Sequence, residues 1–224
     1  MQMQSFHCVV NMRMRKVKWA VEYLNEAKCL IQDPCSFKGH YKSKFPNSKL
    51  HVEIGCGKGG YSLEMAVKYP EDVFIAIEKN ESAAGMAAKK FDEQKDVSNL
   101  FLIQADAIQI SDWFDEGEID VIHLNFSDPW PKNRNAKRRL SSENFISQYC
   151  KILNSNGEIQ MKTDNSKLFE FSLLEFQKYP FYMDDISVDF RREEHGEDAI
   201  TEYEQKFIDL GQPIYRCVWK RKDA

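Results

Sequence analysis

The stretch that decides the fold is IDVIHLNFSDPWPKNRNAKRRL, residues 119–140. Its mostly apolar start, residues 119–124, is short enough to predict a buried strand. The element DPWP at 128–131 ends that strand, because two prolines in three residues are incompatible with both a helix and a strand ladder. A carboxylate and an indole therefore follow the predicted strand on a stiff loop.

The loop continues into a basic segment, residues 132–139, that contains no acid. In open α/β sheets ligands bind beyond the carboxyl ends of the strands, so we expect this segment beside a ligand site, where it can hold phosphate groups. The alternative is a solvated surface loop. The proline element disfavours that alternative, since a loop that only crosses a surface has no need to fix an aromatic side chain so firmly.

Length and charge favour one large domain with an uneven surface. The chain has 224 residues, a net charge of −4 and a pI near 5.8, and it is long enough to bury a full core. Residues 1–51 carry nine basic and three acidic side chains, which leaves 22 basic and 32 acidic side chains for residues 52–224. A basic N-terminal region and one basic loop can still bind an anion on one face of an acidic protein.

Cysteine and histidine usage indicates a reducing compartment. The six cysteines form no Cys-x-x-Cys pair, and neither they nor the five histidines have a spacing typical of zinc. We therefore expect no disulfide framework and no metal, and a cytoplasmic location. The sequence has no run of eighteen apolar residues and no signal peptide at its start, so we expect no membrane association. Residues 1–11 lack a clear period and are predicted to be a mobile extension.

From residue 50 onward, apolar runs alternate with helical stretches, which predicts a largely parallel sheet covered by helices on both faces. The predicted strands are 50–54, 73–77, 100–104, 119–124 and 158–162. The predicted helices are 59–69, 81–95, 142–153 and 165–179. A strand at 182–190, a helix at 202–210 and a strand at 213–220 complete the chain and favour an antiparallel edge.

Upstream of the sheet, the apolar spacing at 19–31 predicts an amphipathic helix, and residues 33–49 form a polar, lysine-rich connection. We therefore divide the chain into an N-terminal extension with its basic helix, residues 1–49, and a main domain, residues 50–224.

A glycine-rich turn, EIGCGKGG at 53–60, follows the first predicted strand. Glycines let the backbone turn sharply and let a ligand approach main-chain amides at a helix N-terminus. Gly55, Gly57 and Gly60 also satisfy the dinucleotide-binding fingerprint formally, so an NAD-dependent oxidoreductase is one alternative. A turn that only closes tight packing between strand and helix is another.

Four acids follow successive strands at the same edge of the predicted sheet. They are Glu53, Glu78, Asp106 and Asp128. Each alone is compatible with a helix cap or a solvated strand end. Together they suit a cationic ligand better than a pyrophosphate, and a carboxylate in the position of Glu78 can accept hydrogen bonds from both hydroxyls of a ribose. The set favours S-adenosylmethionine, which has a sulfonium, an ammonium and a ribose.

These motifs resemble those of the bacterial tRNA (guanine-N7-)-methyltransferase family. The resemblance covers residues 12–217 and rests on the glycine turn, the DPWPK element and three further segments. These segments are KRRL at 137–140, MKTDN at 161–165 and TEYE at 201–204. It implies an α/β fold with the Rossmann-like, seven-stranded sheet of class I methyltransferases and helices on both faces. It also implies methylation of guanine N7 at position 46, in the variable loop of tRNA.

The resemblance also implies roles for individual residues. The implied cofactor contacts are Glu53, Gly55, Gly57, Glu78, Asp106, Ala107 and Asp128. The implied substrate contacts are Lys132, Asp164, Thr201, Glu202, Tyr203 and Glu204. The implied RNA-binding stretch is Arg134, Asn135, Ala136, Lys137, Arg138 and Arg139. Asparagine at position 135 stands where the family often has histidine, so we assign it no acid–base role.

Other interpretations of these motifs remain open. Thr201 and Glu204 also have the spacing of a helix capping box, and Asp164 has the position of a cap for the helix that follows it. Guanine N7 has a free lone pair, so its methylation requires no deprotonation, and we expect Asp128 to orient the base and stabilise its developing charge. The remaining alternatives are another nucleic-acid guanine methyltransferase, an oxidoreductase and a non-catalytic RNA-binding module. Either a monomer or a homodimer fits the sequence.

Overall fold

The computed structural model describes residues 15–222, so the extension predicted at 1–11 lies outside the described residues. Seven strands form one central sheet. In chain order they are β1 (Leu50–Ile54), β2 (Val73–Glu78), β3 (Leu100–Gln104), β4 (Ile119–Asn125), β5 (Leu153–Thr163), β6 (Phe181–Ser187) and β7 (Tyr215–Arg221). Their spatial order is β3-β2-β1-β4-β5-β7-β6, and β7 is antiparallel to both of its neighbours. The other pairings are parallel, which confirms the predicted parallel sheet with an antiparallel edge.

Seven α-helices accompany the sheet among residues 15–222. They are α1 (Lys18–Leu24), α2 (Tyr41–Lys44), α3 (Gly60–Lys68), α4 (Glu81–Asp92), α5 (Glu143–Ile152), α6 (Ser166–Phe176) and α7 (Glu202–Asp209). Side-chain caps determine where several of them begin. Asn80 accepts hydrogen bonds from the first amides of α4, and Asn165 does the same for α6. In the described part of the chain, no helix is both long and apolar enough to cross a membrane.

The two faces of the central strands differ in chemistry. One face is apolar: Val52 and Ile122 occupy matched positions in the sheet and have no exposed surface. The opposite face carries buried polar groups, with His51 and Glu53 on β1 and His123 on β4. These strands are therefore covered on both sides, but only one side is hydrophobic core.

The polar face contains a directional chain of hydrogen bonds beneath α3. His51 Nδ1 lies 3.0 Å from His123 Nε2, and His123 Nδ1 lies 3.1 Å from the hydroxyl of Tyr61. That hydroxyl donates to Asp198 Oδ1 at 3.0 Å. Burial holds the pKa of His123 well below its usual value, so this histidine is neutral and uses one nitrogen as donor and the other as acceptor.

The helix predicted at 19–31 is wrong beyond Leu24, where α1 ends. Residues 28 and 29 instead form a turn, and Leu30 after it forms a parallel bridge with Leu102 of β3. The backbone of this segment pairs with the edge of the sheet, because the amide of Ile31 donates to the Leu102 carbonyl at 2.8 Å. An edge strand has unpaired backbone groups, and satisfying them outweighs the helical spacing of the side chains. Ala27, Cys29 and Ile31 are consequently buried at every second position.

The contact of α1 with α4 depends on a glycine. A Cβ atom added at Gly85 would lie 1.9 Å from the carbonyl oxygen of Ala20 and 2.4 Å from its carbon. Ala20 belongs to α1 and is fully buried. The backbone of α1 therefore packs directly against α4 at a distance that no other residue type permits at position 85.

We predict that Gly85→Ala destabilises the protein by about 1–3 kcal/mol, because the added methyl group pushes the two helices apart. Alanine has the better helix propensity by about 1 kcal/mol, so any loss reflects the clash with Ala20. Urea unfolding followed by circular dichroism measures the difference. The control is Gly196→Ala, where an added Cβ meets nothing within 4 Å. Equal unfolding midpoints for the two variants would contradict the packing argument.

Candidate functional site

A cavity of about 650 Å³ lies beyond the carboxyl ends of β1 to β4, within the size range of small-molecule sites. It brings together most of the residues that the sequence assigned to a cofactor. The predicted residues on its wall are Gly55, Glu78, Asp106, Ala107, Asp128, Lys137 and Arg138. Glu53 and Gly57, two further predicted contacts, do not line it.

The glycine turn after β1 is attached to the end of β2. The amides of Gly55 and Cys56 both donate to the carbonyl of Ile77, at 2.8 and 3.0 Å. Gly55 has a φ of 84°, in the left-handed region, and a Cβ there would meet nothing within 4 Å. The requirement for glycine is therefore conformational, and its open side faces the cavity.

Glu78 connects the glycine turn to the start of α4. Its carboxylate accepts hydrogen bonds from the amide of Gly57 at 2.9 Å and from that of Asn80 at 2.7 Å. Burial raises the pKa of Glu78, while these two donors oppose the rise. Each carboxylate oxygen has two lone pairs, so both remain able to accept a further hydrogen bond from a ligand in the cavity.

Glu53 holds the end of β1 on the side of the sheet that faces α3. One carboxylate oxygen accepts from the hydroxyl of Ser62, and the other accepts from Nδ2 of the Asn125 side chain at 3.1 Å. Burial raises the pKa of Glu53, and the donors and Lys162 lower it. Glu53 thus belongs to the buried polar face of the sheet, which locates it beneath the cavity and not on its wall.

The loop after β4 has an unusual backbone. Trp130, with a φ of 41°, and Phe126, with a φ of 49°, are both in the left-handed region without being glycines. Such a conformation costs about 1–3 kcal/mol and occurs mainly at functional sites. Arg139 stabilises it by donating from Nε to the carbonyl of Pro129 at 3.0 Å and from Nη2 to that of Trp130 at 3.1 Å. Its guanidinium also lies 4.2 Å from the ring centroid of Phe171.

This placement changes the interpretation of the basic segment. The resemblance implies that Arg139 faces RNA, but its guanidinium donates to the carbonyls of Pro129 and Trp130 and so holds the loop after β4. By contrast, Lys132 and Arg134 are exposed, whereas Asn135 and Ala136 are half-buried. The basic segment therefore contains one arginine that binds the backbone of the protein itself, as well as cations that are exposed to solvent.

Three acids and three cations line the cavity. The acids are Glu78 and the exposed Asp106 and Asp128, and Asp106 also caps the next turn by accepting from the amide of Ile108 at 3.2 Å. Two of the cations lie near the indole of Trp130: Arg138 Cζ is 4.9 Å and Lys79 Nζ is 5.8 Å from its centroid. The arrangement suits a ligand with a cationic part and a second ligand that brings anionic groups.

A second group of predicted residues meets beside Asp128. Tyr203 is 47% exposed and its ring centroid lies 5.3 Å from that of Phe126. Burial raises the pKa of Tyr203, and the nearby carboxylates of Asp164 and Asp128 raise it further. Asp164 does not cap the following helix, since Asn165 accepts from the Leu168 amide at 2.9 Å. Its carboxylate is half-buried, and burial raises its pKa.

The segment 201–204 contains the predicted capping box. Thr201 accepts from the amide of Glu204 at 2.8 Å, and Glu204 accepts from that of Thr201 at 3.3 Å. The side chain of Glu202 instead pairs with Lys90 at 2.9 Å. The resemblance implies that Glu204 contacts substrate, but Glu204 has no exposed surface. Its two oxygens are engaged by protein donors, so the structure gives it an internal role.

Sequence reasoning missed the partners of Glu204. Lys162 Nζ lies 2.8 Å from Glu204 Oε2 and 2.7 Å from Asp198 Oδ2, and Arg191 bonds to the same two carboxylates. We call these four residues the charge quartet. None of their side chains is more than 9% exposed. The available signal was a lysine at a buried position of a strand, between Met161 and Thr163.

Comparison with known proteins identifies the relatives of this chain. A family model described as "Putative methyltransferase" matches residues 47–217. A tRNA (guanine-N(7)-)-methyltransferase of Oceanobacillus iheyensis is 46% identical over 208 residues, which are 92% of this chain and 97% of that protein. Another from Bacillus velezensis is 41% identical over 216 residues, or 95% and 99% of the two chains.

Solved structures confirm the fold predicted from the sequence. The 16S rRNA methyltransferase KamB superposes with a TM-score of 0.62 at 10% identity, over 81% of this chain and 92% of that one. A SAM-dependent methyltransferase from Aquifex aeolicus gives a TM-score of 0.54 at 10% identity, over 84% and 89%. The sheet is therefore the Rossmann-like sheet of class I methyltransferases. From the identity over nearly its whole length, the chain belongs to the tRNA (guanine-N7-)-methyltransferase family.

Proposed function

We propose that the protein transfers a methyl group from S-adenosylmethionine to N7 of a guanine in tRNA, and that this guanine is at position 46 in the variable loop. The observation that carries the proposal is the cavity at the strand ends, which three acids and three cations line. The relatives support the same reaction, since they are named tRNA (guanine-N(7)-)-methyltransferases. We further propose that the protein acts in the cytoplasm, where tRNA is available, and that the exposed cations hold the tRNA backbone.

The cavity residues fit S-adenosylmethionine. Glu78 would accept hydrogen bonds from the ribose, and Asp106 and Ala107 at the end of β3 would contact the adenosyl part. The open side of Gly55 would admit the amino-acid part close to the backbone of the glycine turn. When bound, S-adenosylmethionine supplies a methyl group on a positively charged sulfur. The acids around the cavity would attract that charge and so favour binding of the cofactor.

Asp128 is the residue to which we assign the catalytic contact. Guanine N7 has a free lone pair, so no base is needed, and the task is to place N7 in line with the methyl group and keep water out. The exposed carboxylate of Asp128 would accept from the Watson–Crick donors of the base. Because positive charge reaches the guanine ring during transfer, this contact strengthens in the transition state. Asp164 and Tyr203 would contact the base or its sugar from the adjacent side.

The other candidate functions fit less well. The family assignment replaces the NAD-dependent oxidoreductase that the glycine fingerprint allowed, and the acidic cavity argues against a module that only binds RNA. A guanine methyltransferase acting on a different RNA remains the second candidate, because KamB, which shares the fold, is named for 16S rRNA.

Transfer to an unmodified tRNA transcript tests the proposal directly. Incubation with methyl-labelled S-adenosylmethionine should label the transcript, and chain cleavage specific for 7-methylguanine should map the label to position 46. The matched control is a transcript with adenine at that position, which should stay unlabelled. Label at another guanine, or on ribosomal RNA but not tRNA, would reject the assignment.

The cofactor role of Glu78 predicts that Glu78→Ala weakens S-adenosylmethionine binding by about 2–3 kcal/mol, or roughly 30–150-fold in Kd, because charge-assisted hydrogen bonds are removed. Calorimetric titration measures the change. Glu64→Ala, which removes an exposed carboxylate from α3, is the control and should bind normally. Normal affinity in folded Glu78→Ala would remove Glu78 from the site.

The role of Asp128 predicts that Asp128→Asn reduces the single-turnover rate by about one to three orders of magnitude, the range for removal of one transition-state interaction. Asparagine keeps the shape and one acceptor oxygen but not the charge. The rate is measured at saturating cofactor and tRNA, beside Asp112→Asn as an exposed control. A wild-type rate would exclude the electrostatic role. Complete inactivity with normal binding of both ligands would indicate a general base instead.

Arg134 is exposed and Arg139 binds the loop backbone, so we predict different defects when each is substituted. Arg134→Gln should weaken tRNA binding and flatten its dependence on salt, by about 0.7–0.9 in the log–log slope for each phosphate that the protein no longer neutralises. Arg139→Gln should leave that slope unchanged and lower the methylation rate, because it releases the Pro129 and Trp130 carbonyls. Filter binding at several salt concentrations and single-turnover assays separate the two. Equal slope changes would show that Arg139 also binds phosphate.

A further inference from the structure

The charge quartet joins three segments that are distant in the sequence. Lys162 lies near the end of β5, Arg191 and Asp198 lie in the loop after β6, and Glu204 lies in the first turn of α7. The ammonium of Lys162 uses all of its donors: it bonds to Asp198, to Glu204 and to the carbonyl of Ala199 at 2.9 Å. It also lies 4.8 Å from the centroid of the Tyr61 ring.

The quartet is electrically balanced and geometrically specific. Two cations face two carboxylates, so the group as a whole carries no net charge. Arg191 bonds through Nε to Glu204 at 2.6 Å and through Nη2 to Asp198 at 2.5 Å. Tyr61 occupies the remaining oxygen of Asp198. Hydrophobic side chains of similar volume stabilise a core as well as a buried ion pair does, but directional bonds fix one position of the joined segments.

Lys162 fixes both sides of the aromatic contact at the substrate region. Its carbonyl accepts the amide of Phe126 at 2.8 Å, on the loop that leads to Asp128. Its ammonium holds Glu204, which is the residue after Tyr203. The ring centroids of Phe126 and Tyr203 lie 5.3 Å apart, so the two segments that Lys162 binds also touch each other. One residue thereby sets where the α7 segment stands relative to Asp128.

We propose that Lys162 is a positioning residue for the substrate: through Glu204 and Asp198 it holds Thr201, Glu202 and Tyr203 against the site formed by Asp128 and Asp164. This role rests on the proposed function, and it explains why a fully buried glutamate belongs to a segment that the resemblance assigns to substrate. Lys162 itself touches neither tRNA nor cofactor, because its three donors are used within the protein.

The first test is Lys162→Met, which keeps the aliphatic length and removes the charge. We expect the KM for tRNA to rise by about tenfold or more and kcat to fall, since the α7 segment then no longer holds the substrate in either the ground or the transition state. The Kd for S-adenosylmethionine should change by less than about threefold, because the quartet lies outside the cavity wall. Lys178→Met, at a surface lysine that pairs with Glu175, is the matched control.

The second test separates positioning from stability. Lys162→Met alone leaves two buried carboxylates with one cation, so it lowers the melting temperature as well. The double variant Lys162→Met/Asp198→Asn restores the charge balance and keeps the pair of Arg191 with Glu204. We expect it to regain thermal stability while the KM for tRNA stays raised, because the bond from Lys162 of β5 to Glu204 of α7 is still missing.

The outcomes are distinct. The proposal is overturned if the double variant recovers the KM for tRNA together with its melting temperature, or if Lys162→Met weakens cofactor binding as much as tRNA binding. A wild-type protein that binds tRNA but transfers no label would count against the proposed function alone. In that case the tRNA affinities of the same variants, from filter binding without cofactor, still decide the role of Lys162.

Discussion

The need to balance charge on one buried face of the sheet shapes most of the structure around the cavity. Strands β1, β4 and β5 carry polar side chains on this face, and Glu53, His123 and Lys162 among them are almost completely buried. Each therefore takes a partner from a neighbouring segment: Ser62 for Glu53, Tyr61 for His123, and the α7 region for Lys162. Because an unpaired buried polar group is costly, this layer fixes the surrounding helices and loops in one arrangement.

The cavity lies at the carboxyl ends of the strands, next to this layer of polar side chains, and its shape depends on the layer. Glu53 stabilises the end of β1 from beneath, Glu78 attaches the glycine turn to β2, and Arg139 holds the strained loop after β4. Glu53 and Arg139 thus support residues that would touch the ligands, whereas Glu78 would both hold the glycine turn and contact the ligand itself. Such support limits movement of reacting groups, on which catalysis by positioning depends.

The positions of the strands along the chain and of the acids at their ends followed from local signals, namely apolar runs and the position of glycine, proline and acidic residues. These signals are properties of neighbouring residues, and the observed strands confirm their interpretation. The turn and bridge at 28–30 could not be predicted in this way, since their conformation is decided by the free edge of β3. The internal roles of Arg139 and Glu204 depend on partners far away in the sequence, and no pattern within their own segments distinguishes an arginine that binds RNA from one that binds a carbonyl.

The bridge between Leu30 and Leu102 also affects whether separate copies of the chain can pair through the edges of their sheets. A sheet with two open edges can add strands from other molecules at either end, whereas residues 29–31 occupy the β3 edge here. The opposite edge, β6, is exposed, and its Asp184 and Asp185 pair with Lys220 and Arg216 of the neighbouring strand β7. The segment that departs from the expected helix therefore closes one of the two edges to pairing with another strand. A chain shortened past residue 31 would leave the backbone groups of Leu102 without these partners.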